Sequence, residues 1–180
     1  PRVYVEQAKR AGVRFLGPDV NRSGEEFVLE GEAIRVGFNR IDGLGPVSIA
    51  RLLEARRGGP FAGVSDCLRR AGLGEEEVRA LIRCAAFDFT GRTRPELMLE
   101  LRLARGGPAA GGNLLAVAPT VEIDAPDDTP ADRYAQQRRL LGISLGPHVM
   151  ELFRPGLAGV ADADSRDLPA RVGRRVRLAG

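Results

Sequence analysis

Histidine, lysine and cysteine are scarce in this chain of 180 residues: there is one histidine (His148), one lysine (Lys9) and two cysteines (Cys67 and Cys84). A lone histidine with no neighbouring nucleophile motif gives no basis for Ser/His/Asp or Cys/His catalysis. His148 is read as satisfying a local hydrogen bond rather than as a metal ligand. The two cysteines form no metal-ligand or disulfide pattern, which suggests a reducing cytosol. No apolar run approaches membrane-spanning length, and no secretory signal opens the sequence. Clustered carboxylates able to hold two metals for phosphoryl transfer are also missing. The one Asp-x-Asp, Asp162-Ala163-Asp164, lies in an Ala-rich stretch without a strand pattern and is read as a solvated loop.

What remains is ordinary for a soluble protein: 43% apolar residues, 28% charged residues and a net charge of +3. The cations are nearly all arginine, which holds phosphate in a bidentate fork, although genomic base composition produces the same bias. The length suits one domain or two small ones. The chain opens on Pro1 and stops at Gly180 inside an Arg/Val-rich run, so it is expected to be a piece of something larger.

The most informative stretch is residues 34–57, where a short apolar turn (Phe38, Ile41) runs into Gly43-Leu44-Gly45 and Pro46 opens an amphipathic helix. Two glycines flanking a buried leucine allow a sharp turn that brings backbone N–H groups to the surface. Pro46 suits a first helical turn, and a helix N-terminus attracts phosphate through unpaired donors and the positive end of its dipole. The pattern reads as a helix-hairpin-helix, a sequence-independent grip on a nucleic-acid backbone. A dinucleotide fingerprint is the rival reading, but Ser48 stands where its third glycine belongs, and Arg35, Asn39 and Arg40 make a poor buried strand before the loop. The plainest alternative is a structural turn between packed helices.

Elsewhere, glycine and proline mark the boundaries. A helix is expected over Val3 to Ala11, then a short apolar run from Val13 to Leu16 and a strand at Phe27-Val28-Leu29. The helix after Pro46 carries Ile49, Leu52 and Leu53 on one face and stops at Gly58-Gly59-Pro60. Val64 and Ser65 open another, closed by Gly72. A further helix starts with Glu75, Glu76 and Glu77 and presents Val78, Leu81, Ile82 and Ala85. Thr93-Arg94-Pro95-Glu96 is a capping box before Leu97, Leu101 and Ala104, so residues 75–105 read as a second helical hairpin. Gly106 to Gly112 reads as a flexible tether. Thr129-Pro130-Ala131-Asp132 caps a helix running to Gly142, and Val172 to Leu178 alternates like the first strand of a small β domain.

In this order, the motifs resemble the bacterial DNA polymerase III alpha subunit family, replicative or error-prone. Val5 to Gly12 with Pro18-Asp19-Val20-Asn21-Arg22-Ser23 is similar to the family's segment at the end of the fingers. Ile34-Arg35-Val36-Gly37 with Ile41-Asp42-Gly43-Leu44-Gly45 resembles its "IRLGL-AIKGVG". Leu81-Ile82-Arg83-Cys84-Ala85-Ala86-Phe87-Asp88 resembles "LIRAGAFD", and Arg138 to Leu145 with His148 resembles "E-ELLGFYLSGHP". Asp42 replaces a usual Lys, which subtracts a cation; Ala85 replaces the glycine of the second hairpin; Gly146 and Val149 replace Ser and Pro.

The resemblance implies a mainly α fold: residues 1–33 end the fingers in a small α/β segment, and residues 34–105 form a tandem helix-hairpin-helix module. Residues 106–130 are then a flexible linker, 131–160 a helical connector, and 161–180 a loop and the first strand of an OB-like β domain. The expected phosphate-binding residues are Gly43, Leu44 and Gly45 through backbone N–H groups, with Arg40, Arg51, Arg56 and Arg57 supplying charge. Duplex DNA is the implied partner, together with the remaining polymerase domains in the cytoplasm and no membrane. In the family that the chain resembles, a sliding-clamp binding peptide lies between the hairpins and the OB domain. Its nearest candidate, Asn113-Leu114-Leu115, lacks the family's Gln and aromatic residue, so a plain tether is preferred. The parent enzyme would use Mg²⁺ and deoxynucleoside triphosphates, with no cofactor or catalytic residue in these residues. Alternatives are a protein-interaction scaffold whose hairpins serve only as packing, or the DNA-binding module of a repair nuclease or ligase.

Overall fold

The computed structural model describes residues 2–106, 125–146, 149–157, 160, 163 and 165–178. Asn113-Leu114-Leu115, His148, Asp162 and Asp164 lie outside the described residues. The chain divides into two compact units, residues 1–145 and 146–180.

The first unit opens with α1 (Arg2–Arg10) and a three-stranded sheet of β1 (Arg14–Leu16), β2 (Val28–Glu30) and β3 (Ala33–Arg35), ordered β1-β3-β2. Phe15 pairs with Ile34 in parallel register, and Leu29 pairs with Ile34 in antiparallel register. A strand therefore does precede the glycine loop, contrary to the expectation for this stretch. Arg35 is tolerated in it, although only 7% exposed, because its guanidinium donates to both carboxylate oxygens of Glu30 and to the Gly17 carbonyl. That hydrogen bonding raises the Arg35 pKa and lowers that of Glu30. The strand ends there, and the 3₁₀ turn Phe38–Arg40 separates it from the loop, so the strand-loop-helix geometry of a dinucleotide site does not form.

Helices follow: α2 (Pro46–Arg57), α3 (Val64–Ala71), α4 (Glu75–Arg83), α5 (Arg94–Gly106) and α6 (Pro130–Leu141). Their apolar faces meet in one core with Val20, Val36, Phe38, Leu52, Phe61, Leu81, Ile82, Phe87, Leu97, Leu101, Leu141 and Ile143 fully buried. Polar side chains tie loops into this core. The Asn21 amide donates to the Phe61 carbonyl at 3.0 Å and accepts the Phe61 N–H at 2.6 Å, joining turns forty positions apart. Ser23, fully buried, donates to the Val36 carbonyl at 2.8 Å. Gly37 is required by close approach: a β-carbon there would lie 2.3–2.5 Å from the backbone of Glu25 and Glu26. Burial pushes the Cys67 and Cys84 thiols up to about 12, so they act as apolar core groups.

The second unit contains α7 (Val149–Phe153) and 3₁₀ turns at Arg154–Leu157 and Ser165–Arg171. The strand expected from Val172 to Leu178 is not formed: residues 172–174 turn, and residues 175–178 have no regular structure. An alternating segment becomes a strand only with a ladder partner, and the described residues of this unit supply none. Among the described residues, no helix is long and apolar enough to cross a membrane.

Ala85 also departs from expectation. It lies beyond the end of α4, in the turn before Phe87, at φ +77°; among the described residues it is the one non-glycine at positive φ. A β-carbon in left-handed backbone costs about 1–2 kcal/mol, partly offset by the lower unfolded-state entropy of alanine. Ala85→Gly should therefore raise stability by about 0.5–1 kcal/mol in urea unfolding. A lower unfolding midpoint would show that the turn is not strained.

Candidate nucleic-acid interface

The Gly43-Leu44-Gly45 loop is built by local conformation. Gly43 turns the chain at φ +87°, Leu44 buries its side chain to 7% exposure, and Gly45 caps α2 in extended conformation, φ −80° and ψ 163°. The Leu44 N–H is already donated to the Ile41 carbonyl at 3.2 Å. Leu44 thus anchors the loop, and the outward donors are others. Among the described residues, the N–H groups of Gly43, Gly45, Val47 and Ser48 have no acceptor, and no side chain caps α2. Free donors in this loop and in a first helical turn without acids suit a phosphate oxygen.

A second loop of the same form lies 29 positions on, where the sequence suggests only the end of one helix and the start of the next. Gly72 has φ +60°, Leu73 is 5% exposed, and Gly74 caps α4 at φ −72° and ψ 161°. The repeat extends beyond the glycines: Ile49, Leu52 and Leu53 recur as Val78, Leu81 and Ile82. Searching for an internal repeat would have found it. Residues 75–105 do fold as helix, connection, helix, but the paired glycine loop precedes α4 rather than following it.

The two loops differ in charge. Glu75, Glu76 and Glu77 fill the first turn of α4. The Glu77 carboxylate accepts the Gly74 N–H at 2.7 Å, so this helix start already holds an anion of its own. Its other oxygen accepts the Ser48 hydroxyl from the first turn of α2. The helix starts therefore lie side by side, one acidic and capped, the other open.

The expected arginines separate into two groups. Arg40, ending the 3₁₀ turn, lines the same hollow as Gly43 and has no ion-pair partner among the described residues; its Nε is buried and unpaired. Arg51 is exposed on α2, without a described partner. Arg56 instead turns inward, donating to the carbonyls of Val20 and Ser23 at 3.2 and 2.7 Å, and burial lowers its pKa. Arg57 pairs with Glu54 in the last turn of α2, roughly 17 Å along the axis from the loop at 1.5 Å per residue. Arg70, at the end of α3, donates to the carbonyls of Gly59 and Pro60 and stacks 4.6 Å over the Phe61 ring.

Asp42 holds the loop against α6: its N–H donates to the Leu140 carbonyl at 2.8 Å. Among the described residues, no group of three or more His, Cys, Asp or Glu is placed to hold a metal ion, so they do not fit a two-metal site.

The comparisons agree with this geometry. Residues 12–97 match the family model described as a helix-hairpin-helix motif. The chain is 35% identical to the error-prone DNA polymerase of Anaeromyxobacter dehalogenans (strain 2CP-C), with 93% of this chain and 16% of that protein covered. It is 33% identical to that of Burkholderia pseudomallei (strain K96243), covering 100% and 17%. It is 34% identical to the DNA polymerase III subunit alpha of Thermus aquaticus, covering 92% and 14%. The chain thus spans about a sixth of the length of these curated relatives.

The conformations of the two glycines predict opposite stability effects. Gly43→Ala should cost about 1 kcal/mol, because φ +87° disfavours a β-carbon. Gly45→Ser should stabilise by a few tenths of a kcal/mol as a better N-cap. Equal destabilisation in urea unfolding would refute the distinction.

Proposed function

We propose that this chain, homologous over most of its length to error-prone DNA polymerases and DNA polymerase III alpha subunits, is the segment of such an enzyme that holds duplex DNA by its backbone. Gly45 carries the reading. Its φ is open to any residue, and a β-carbon there would meet nothing within 4 Å. The fold therefore does not require glycine at this helix cap, where Ser or Asp would hold the helix better. Close approach of a ligand backbone supplies the missing reason.

A phosphate is bound by the N–H groups of Gly43 and Gly45 and the first turn of α2, with Leu44 as the buried anchor and Arg40 and Arg51 adding field. Arg56 and Arg57, by their positions, stay outside this grip. Such contacts fix the position of the duplex and carry no base sequence. In the cytoplasm, they would steady DNA behind the polymerase centre during replication or translesion synthesis. Nucleotide addition, with its Mg²⁺ and deoxynucleoside triphosphates, would belong to the parent enzyme outside these residues.

The test separates binding from folding. Affinity for a random-sequence duplex, read by fluorescence anisotropy, should fall steeply between about 50 and 200 mM KCl. Gly45→Asp should lower affinity by at least about tenfold, because its carboxylate occupies the free donors and repels phosphate, while thermal stability stays level or rises. Undiminished binding by folded Gly45→Asp would leave the loop a packing element of a scaffold.

A further inference from the structure

Three adjoining hollows of about 450, 430 and 310 Å³ run away from the Gly43 loop. The first two share Asp42, Gly43, Arg139 and Leu140; the second and third share Arg83 and Gln136. Together they form one furrow over α4, α5 and α6. Six arginines line it, Arg40, Arg79, Arg83, Arg94, Arg102 and Arg139, against three acids, Asp42, Glu76 and Asp128.

These arginines are not equivalent. Arg79 is held by Glu75 and Glu76, and Arg94 by Asp88, Asp127 and Asp128. Arg94 is 6% exposed and also donates through its backbone N–H to Asp127, which clamps the segment before α6 against α5. That pair of arginines builds the furrow. Arg40, Arg83, Arg102 and Arg139 have no ion-pair partner among the described residues. Free guanidinium groups concentrated in one depression raise the local anion concentration, and their planar forks match phosphate oxygens.

We infer that one strand of the duplex continues from the Gly43 loop along this furrow, with Arg83, Arg102 and Arg139 contacting successive phosphates. The inference rests on the backbone-grip reading and extends it. It makes α6, expected from sequence to be a connector, part of the DNA-binding surface. A polyanionic strand suits the furrow better than a single small anion because the free cations are spread over three connected hollows. The Asp42–Leu140 backbone hydrogen bond gives loop and furrow a fixed register.

The experiment compares duplex affinity and its salt dependence in the wild-type chain, Arg83→Gln/Arg139→Gln, Gly45→Asp, and a control of equal charge loss away from the furrow, Arg14→Gln/Arg69→Gln. Thermal melting checks folding, and Arg102→Gln/Arg139→Gln, at two exposed positions, replaces the first double variant if it melts early. The furrow variant should bind about tenfold more weakly, with a log–log salt slope shallower by about 1.8 for two lost phosphate contacts, while the control stays near wild type. An unchanged slope with Gly45→Asp impaired overturns the furrow and leaves the loop grip standing. The reverse pattern overturns the loop grip and, with it, a strand path that continues from loop to furrow. Equal loss in the control reduces the effect to net charge and overturns the furrow. Absence of duplex binding by the wild type overturns both.

Discussion

The Glu77 carboxylate joins the first turns of α2 and α4, accepting the Ser48 hydroxyl with one oxygen and the Gly74 N–H with the other. The placement of the two glycine loops beside each other is tied by this bridge. Two glycine loops of nearly identical backbone conformation are placed side by side, and one carboxylate satisfies the helix start of the second. It also makes them unequal. A helix N-terminus that already holds a carboxylate has little to offer a phosphate, whereas the open one retains its donors. A repeated structural unit thereby differs in its free donors: Gly74 gives its N–H to Glu77, whereas the N–H groups of Gly43 and Gly45 have no acceptor among the described residues.

The arginines follow the same division between support and display. Arg35, Arg56, Arg70 and Arg94 each turn into the protein, where carbonyls or carboxylates accept their N–H groups. They hold loops that have few apolar residues of their own, and removing one would leave buried acceptors unpaired. Arg40, Arg51, Arg83, Arg102 and Arg139 are left to face solvent or the furrow. The modest net charge of +3 thus understates the local field, because many cations are paired internally while Arg40, Arg83, Arg102 and Arg139 line adjoining hollows.

The sequence alone determined the Gly43-Leu44-Gly45-Pro46 turn, the start and end of α2, and the apolar faces of α4 and α5. These features rest on φ preferences, caps and helical periodicity, all set within a few residues. The family order of motifs was legible for the same reason, since each motif is short and contiguous. Only tertiary structure decided that Arg56 points inward, that Leu44 gives its N–H to Ile41, that Glu77 couples two loops 29 positions apart, and that α6 lines the same furrow as the loop. Long side chains have many rotamers, and which carbonyl or carboxylate captures one depends on chain segments distant in sequence. The strand expected from Val172 to Leu178 fails by the same principle: alternation proposes a strand, and only a neighbouring strand can complete it.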